Sequence, residues 1–153
     1  MVEKGAPRIL AILPPHMTDP RLEHLLSELG IAIAASDTEL YRLTAVKSED
    51  PYEMISLALS SALGETLQKR ISFIIEGCKR LNVDGVLDRF HAGCRSVVAD
   101  ALIIKESITK ELGIPVLFMD WENFDPRVYK HEQYKKRFEV FKTALLNRRG
   151  NSA

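Results

Sequence analysis

Two cysteines and four histidines are the residues of this chain best able to act as nucleophiles or to hold a metal. Cys94 lies in the stretch FHAGCRSVVAD, between Gly93 and Arg95, where an apolar run gives way to a helical pattern starting near Ser96. A helix N-terminus and a neighbouring cation both favour a thiolate. Such a thiolate could serve as a nucleophile or as a metal ligand; the plainer reading is a cysteine tolerated in a loop. His91, three residues earlier, is the candidate base for a nucleophile, but no third group of any specificity orients it. A zinc or iron–sulfur centre needs about four ligands. The chain has no C-x-x-C and no H-x-x-x-H, and His16, His24, His91 and His131 are scattered along it. His16, in the loop after the first apolar run, could approach Cys94; His24 and His131 read as surface residues of helices. Cys78 falls on an apolar helical stripe and reads as a small core hydrophobe.

The bulk composition narrows the field. The 153 residues are enough for one domain with a real core. Lys and Arg number 21 and Asp and Glu 21, so the net charge is zero and a nucleic-acid partner is not expected. Lys135-Lys136-Arg137 and Arg148-Arg149 read as a solvated face and a helix C-terminus. The apolar run Ile9 to Leu13 stops at Pro14-Pro15, too short to span a membrane and without the cleavage site of a leader. A cytoplasmic protein without a structural disulfide is therefore expected. The loop PPHMTDP after the first strand lacks the glycines of a dinucleotide or phosphate-binding fingerprint.

The elements that must position Cys94 alternate in type. RILAIL (8–13), IAIAA (31–35), VDGVL (83–87) and IPVLFM (114–119) read as buried strands. Leu22, Leu25, Leu26 and Leu29 mark a helix that Gly30 stops. A polar stretch, 36–50, follows the second strand. Asp50-Pro51 with Glu53 opens a helix striped by Met54, Leu57, Ala58 and Ala62. After Gly64, a helix carries Leu67, Ile71, Ile74, Ile75, Cys78 and Leu81 on one face. Val98, Ala101, Leu102, Ile108 and Leu112 stripe the next helix, which Gly113 ends. The loop DWENFDPR leads to a last helix with Tyr134, Phe138, Phe141 and Leu145 inward, and the tail from 147 to 153 is expected to fray. Trp121, past strand 4, lines a pocket or closes the sheet end. The order β-α-β-α-α-β-α-β-α implies one α/β domain over 1–153: a four-stranded parallel sheet, strand order 2-1-3-4, with helices on both faces in a Rossmann-like or flavodoxin-like three-layer arrangement. Cys94 then falls at the switch point between strands 1 and 3, beyond the C-terminal strand ends, where ligands of open α/β sheets gather. A five-residue strand spans roughly 17 Å, so Cys78 and Cys94 stand at opposite ends of the sheet and share neither a disulfide nor a metal.

The run DGVLDRFHAGCRSVVADALIIKESITKELGIPVLFMDWENFDPRVYKHEQYKKRFEVFKTAL resembles the C-terminal domain of 2-hydroxyacyl-CoA dehydratase and benzoyl-CoA reductase subunits. The likeness lies in a cysteine after the third strand, a long helix into ELGIPVL, an acidic loop with Asp120 and Glu122, Asp125-Pro126-Arg127, and a helix opening near Glu132-Gln133. RILAIL through IAIAASDT looks like the start of the same domain. The resemblance implies a [4Fe–4S] cluster held by three cysteines, two from an N-terminal domain and one matching Cys94. It further implies an acyl-CoA substrate, an ATP-dependent electron-donating activator, and radical dehydration or ring reduction of the thioester. His91, Arg95 and His16 would then line the substrate cavity. The isolated chain, lacking the other two cysteines, is expected to hold no cluster and to be inactive alone. It would be a truncated C-terminal domain that needs the missing domain or a second subunit; the alternative is a stand-alone acyl-CoA-binding or subunit-interaction module without chemistry.

Overall fold

A computed structural model describes residues 5–12, 20–43, 48–61, 66–91, 93–121, 125, 127 and 129–151. Four strands form one sheet: β1 (Arg8–Ile12), β2 (Ala32–Ser36), β3 (Gly85–His91) and β4 (Val116–Trp121). They are all parallel and lie in the order β2-β1-β3-β4, as the alternation of elements requires. The helices are α1 (Pro20–Glu28), α2 (Asp37–Leu43), α3 (Pro51–Ser61), α4 (Leu67–Leu81), α5 (Arg95–Leu112) and α6 (His131–Asn151).

Side chains alternate across the strands and build two cores. Ile9, Leu87 and Met119 pack under α1 and α6 with Leu22, Leu25, Leu26, Phe138, Phe141 and Leu145. Leu10, Ile12 and Val86 face the other way, toward Leu40 of α2, Ile71, Ile74 and Cys78 of α4, and Ile104 and Ile108 of α5. Cys78 is buried there, and burial pushes its thiol up to about 12. At Gly85 the packing is closest. A Cβ there would collide with Leu145 and stand 2.8 Å from the Pro115 carbonyl oxygen, so only glycine lets α6 lie this near β3.

Four details differ from the sequence reading. The stretch 36–50, read as polar loop, contains α2: Ser36 and Glu39 form a reciprocal capping box, with Ser36 N donating to Glu39 Oε2 at 2.7 Å and Glu39 N to Ser36 Oγ at 3.2 Å. β3 does not stop at Leu87 but runs through Asp88, Arg89 and Phe90 to His91, because β4 keeps pairing with it as far as Trp121. On α5 the buried stripe is Ala101, Ile104 and Ile108, while Val98 and Leu102 are exposed; Met54 of α3 is exposed as well. Helical geometry continues through Asn151, past the point where fraying was expected. The last turn is tied down by Arg149, which donates to both Asp84 carboxylate oxygens at 2.7 Å and to the Gly5 and Ala6 carbonyls at 2.6 and 3.1 Å. Asp84 also accepts the Arg8 amide at 2.7 Å. One carboxylate thus joins the entry of β1, the entry of β3 and the end of α6.

Candidate functional site

Ile12 of β1 lies opposite Asp88, and β3 goes on pairing with β4 as far as His91 and Trp121. The chain reverses direction across the sheet between β1 and β3, and the turn after β3 leads into α5. Cys94 is the N-cap of that helix, in extended backbone geometry at φ −100° and ψ 100°. Its carbonyl accepts the Val98 amide at 3.1 Å, which starts the helix, while its side chain makes no capping bond. The thiol is half-buried. A cysteine whose sulfur is neither packed into the core nor used for capping can meet a ligand from outside the domain.

Of the other residues expected at this site, His16 and the side chains of His91 and Arg95 lie outside the described residues, as does the Trp121 side chain. His91 is the final residue of β3 rather than part of the turn. His24 and His131 are exposed; His24 pairs with Glu28 at 3.2 Å, and His131 Nδ1 is 3.1 Å from the Tyr129 hydroxyl. Arg21 covers the Tyr129 ring at 4.1 Å, which ties the start of α1 to the approach of α6. Among the described residues no group of three or more His, Cys, Asp or Glu is placed to hold a metal ion. An iron–sulfur cluster needs about four ligands. The described part of this chain offers one, Cys94, and does not fit a cluster by itself.

The sequence reading missed a set of charges in β3, ahead of the Cys94 turn. Asp88 and Arg89 are each 1% exposed, although both are charged residues in the middle of the sheet. By strand alternation Asp88 points to the α2/α4/α5 side and Arg89 to the α1/α6 side. Burial pulls Arg89 down to about 10, opposed by Glu23 and Asp37. Burial likewise pushes Asp88 up to about 7; the Arg70 guanidinium works against this rise and the Asp37 carboxylate adds to it. Neither carboxyl oxygen of Asp88 has a hydrogen-bond partner among the described residues. Nearby, Arg70 Nη2 lies 3.3 Å from Asp37 Oδ2, and Arg70 Nη1 lies 3.8 Å from Asp100 Oδ2. The signal was present in the sequence: VLDRF puts two adjacent charges inside an otherwise apolar strand. Such charges are costly to bury, and a strand that carries them is a candidate for serving a site.

Two comparisons with known proteins bear on this arrangement. A model of the family "2-hydroxyglutaryl-CoA dehydratase, D-component" matches residues 1–144. A benzoyl-CoA reductase subunit of Thauera aromatica is 25% identical over 141 residues, covering 88% of this chain and 33% of that protein. The chain therefore spans about a third of the length of the curated relative it matches.

Proposed function

Because the chain belongs to the 2-hydroxyglutaryl-CoA dehydratase D-component family, we propose that it is the C-terminal-type domain of a subunit that dehydrates or reduces a CoA thioester. Cys94 supplies one thiolate to a [4Fe–4S] cluster, and the remaining ligands come from the part of the subunit that this chain does not span. The observation that carries the reading is the Cys94 side chain: half-buried, at the switch-point turn, and free of any capping duty. The family and the relative are both named for CoA thioesters, which supports a CoA thioester as the substrate class. His91 ends β3 and Arg95 directly follows the cysteine; in this reading they bind the thioester, together with His16, which lies outside the described residues. No helix among the described residues is long and apolar enough to cross a membrane, and a second polypeptide or subunit is the partner this reading requires.

The test is to express the chain together with a polypeptide covering the part of the family subunit that it does not span. Anaerobic reconstitution with iron and sulfide should give a brown complex with bound iron, lost in Cys94→Ser and kept in Cys78→Ala. A non-catalytic module gives a complex without iron. Iron bound equally well in Cys94→Ser would refute the assignment of the ligand.

A further inference from the structure

The outer face of α5 changes character along its length. A helix face open to water ordinarily carries polar side chains. In the half of α5 nearer Cys94, Val98, Ala99, Leu102 and Ile103 are all exposed, Val98 by 37%, Leu102 by 51% and Ile103 by 47%. Residues four apart are neighbours on a helix, so these four form one contiguous apolar patch. In the other half Glu106, Thr109, Lys110 and Glu111 are exposed instead. Val140 of α6, although 72% exposed, stands singly among the exposed Lys136, Glu139 and Thr143, which is ordinary for a protein surface.

The two flanks of α5 differ as well. One faces α4: Asp100 Oδ2 lies 3.8 Å from Arg70 Nη1, and Glu111 Oε1 lies 3.1 Å from Lys79 Nζ. The opposite flank carries Val98, Leu102 and Lys105, spaced four and three residues apart. Lys105 marks its direction, with its ammonium 5.7 Å from the ring of Phe118 in β4, the outermost strand of the sheet. Phe118 stacks on Phe90 of β3 at 4.5 Å between ring centroids, and both residues are only half-buried. Apolar surface is therefore offered by the open flank of the helix and by the edge of the sheet beside it.

We infer that the patch of Val98, Ala99, Leu102 and Ile103 is the surface on which the remainder of the family subunit docks. Three observations select that occupant. The chain covers 33% of the curated relative, so the larger part of that protein has no counterpart here. The outer face of α5 is apolar only at the end that presents Cys94, where the remaining cluster ligands have to be brought. Val98 belongs to the same turn as that cysteine, since its amide donates to the Cys94 carbonyl at 3.1 Å. The partner is thus a polypeptide surface that is apolar where it covers Val98 and Leu102 and that sets its own ligands at the head of the helix. The inference rests on the reading of the chain as one domain of a larger subunit; it does not need iron to be present, and its test uses none.

Isothermal titration of the 153-residue chain with a polypeptide covering the rest of the family subunit measures the docking. Chelator is present, sulfide is absent, and every chain carries Cys94→Ser, so no cluster contributes. Leu102→Asp should weaken binding by about tenfold or more, because it buries a charge against an apolar partner. The milder pair Val98→Ser and Leu102→Ser should weaken it in the same direction, and Val140→Asp should leave it unchanged. These side chains are exposed, so circular dichroism should show the wild-type fold in each variant. Binding indifferent to the α5 substitutions overturns the proposal, as does the absence of any complex. A loss with Ile55→Asp and none with Leu102→Asp moves the interface to α3 and overturns it too. The chain alone should sediment as a monomer; a dimer that Leu102→Asp dissolves assigns the patch to a second copy instead. Iron is read in a separate arm with the Cys94 chain. A complex that depends on Leu102 but never holds iron refutes the ligand assignment and upholds the docking surface, whereas iron held by a complex indifferent to Leu102→Asp does the reverse.

Discussion

Replacing Asp88 by Asn should remove most of the dependence of stability on pH between mild acid and neutrality. In the folded chain the Asp88 carboxyl is raised from 3.8 to about 7, chiefly by burial. The sign follows from proton counts. Below about pH 4 both folded and unfolded chains carry the proton, so nothing is lost. Between about pH 4 and pH 7 the unfolded chain has released the proton while the folded chain still holds it. The folded state then loses about 1.4 kcal/mol for each pH unit, roughly 4 kcal/mol in all. Above about pH 7 both states are ionised and the curve is flat again. For a domain with a stability of about 5–15 kcal/mol this is a large share. Asn has the same shape and does not titrate. It leaves an amide with its own unmet hydrogen bonds, which shifts the whole curve but not its slope. Urea unfolding at a series of pH values, for the wild type and Asp88→Asn, measures the difference. A wild-type slope through this interval that is still present in Asp88→Asn would show that Asp88 is not the buried proton holder described above.

The remaining predictions concern the rest of the frame. Arg149→Ala should cost about 2 kcal/mol, below the range for a fully buried pair because the arginine is partly exposed, and should lower the melting temperature by about 4–8 °C. The Arg149 side chain and the Arg8 amide hold Asp84 below its ordinary range. Asp84 therefore contributes stability that is present at neutral pH and disappears as the pH falls through its folded value, and Arg149→Ala should shrink that acid limb; an unchanged limb would contradict the role given to the pair. Gly85→Ala should cost about 1–3 kcal/mol in chemical denaturation, because the Pro115 carbonyl and Leu145 occupy the space of the new methyl. Under native conditions an alkylating reagent should modify Cys94 and spare Cys78, which is buried and raised to about 12; peptide mass mapping reads both sites, and equal labelling would contradict the described packing.

Much of this architecture could be read from the chain. Apolar runs of five or six residues, separated by helical stripes, leave few options beyond a parallel sheet, and right-handed crossovers then fix the strand order. Cys78 on a stripe of Ile71 and Ile74 had to be inside. Two things escaped for definable reasons. The helix α2 was hidden because its seven residues, DTELYRL, are too few to display a repeating apolar stripe, yet SDTE carries a capping box whose two reciprocal bonds are both formed. The buried Asp88 and Arg89 were hidden because periodicity reports where apolar residues go, and charges at the end of VDGVLDRF look like the close of a strand. Pairing with β4 carries the strand through them. The opposing charges of Arg70 and Asp100 come from helices that are distant in sequence, and no local pattern links them. The inward stripe of α5 was read correctly at Ala101 and Ile108 but wrongly at Val98 and Leu102, which are apolar yet exposed, and Ile104 was missed.

The most direct trial of the central claim is the iron content of the complex between this chain and the remainder of the family subunit, reconstituted without oxygen. We expect about four irons per complex with wild-type chain, a comparable content with Cys78→Ala, and a marked loss with Cys94→Ser. Full iron content after Cys94→Ser would mean that the thiol at the head of α5 is not a ligand.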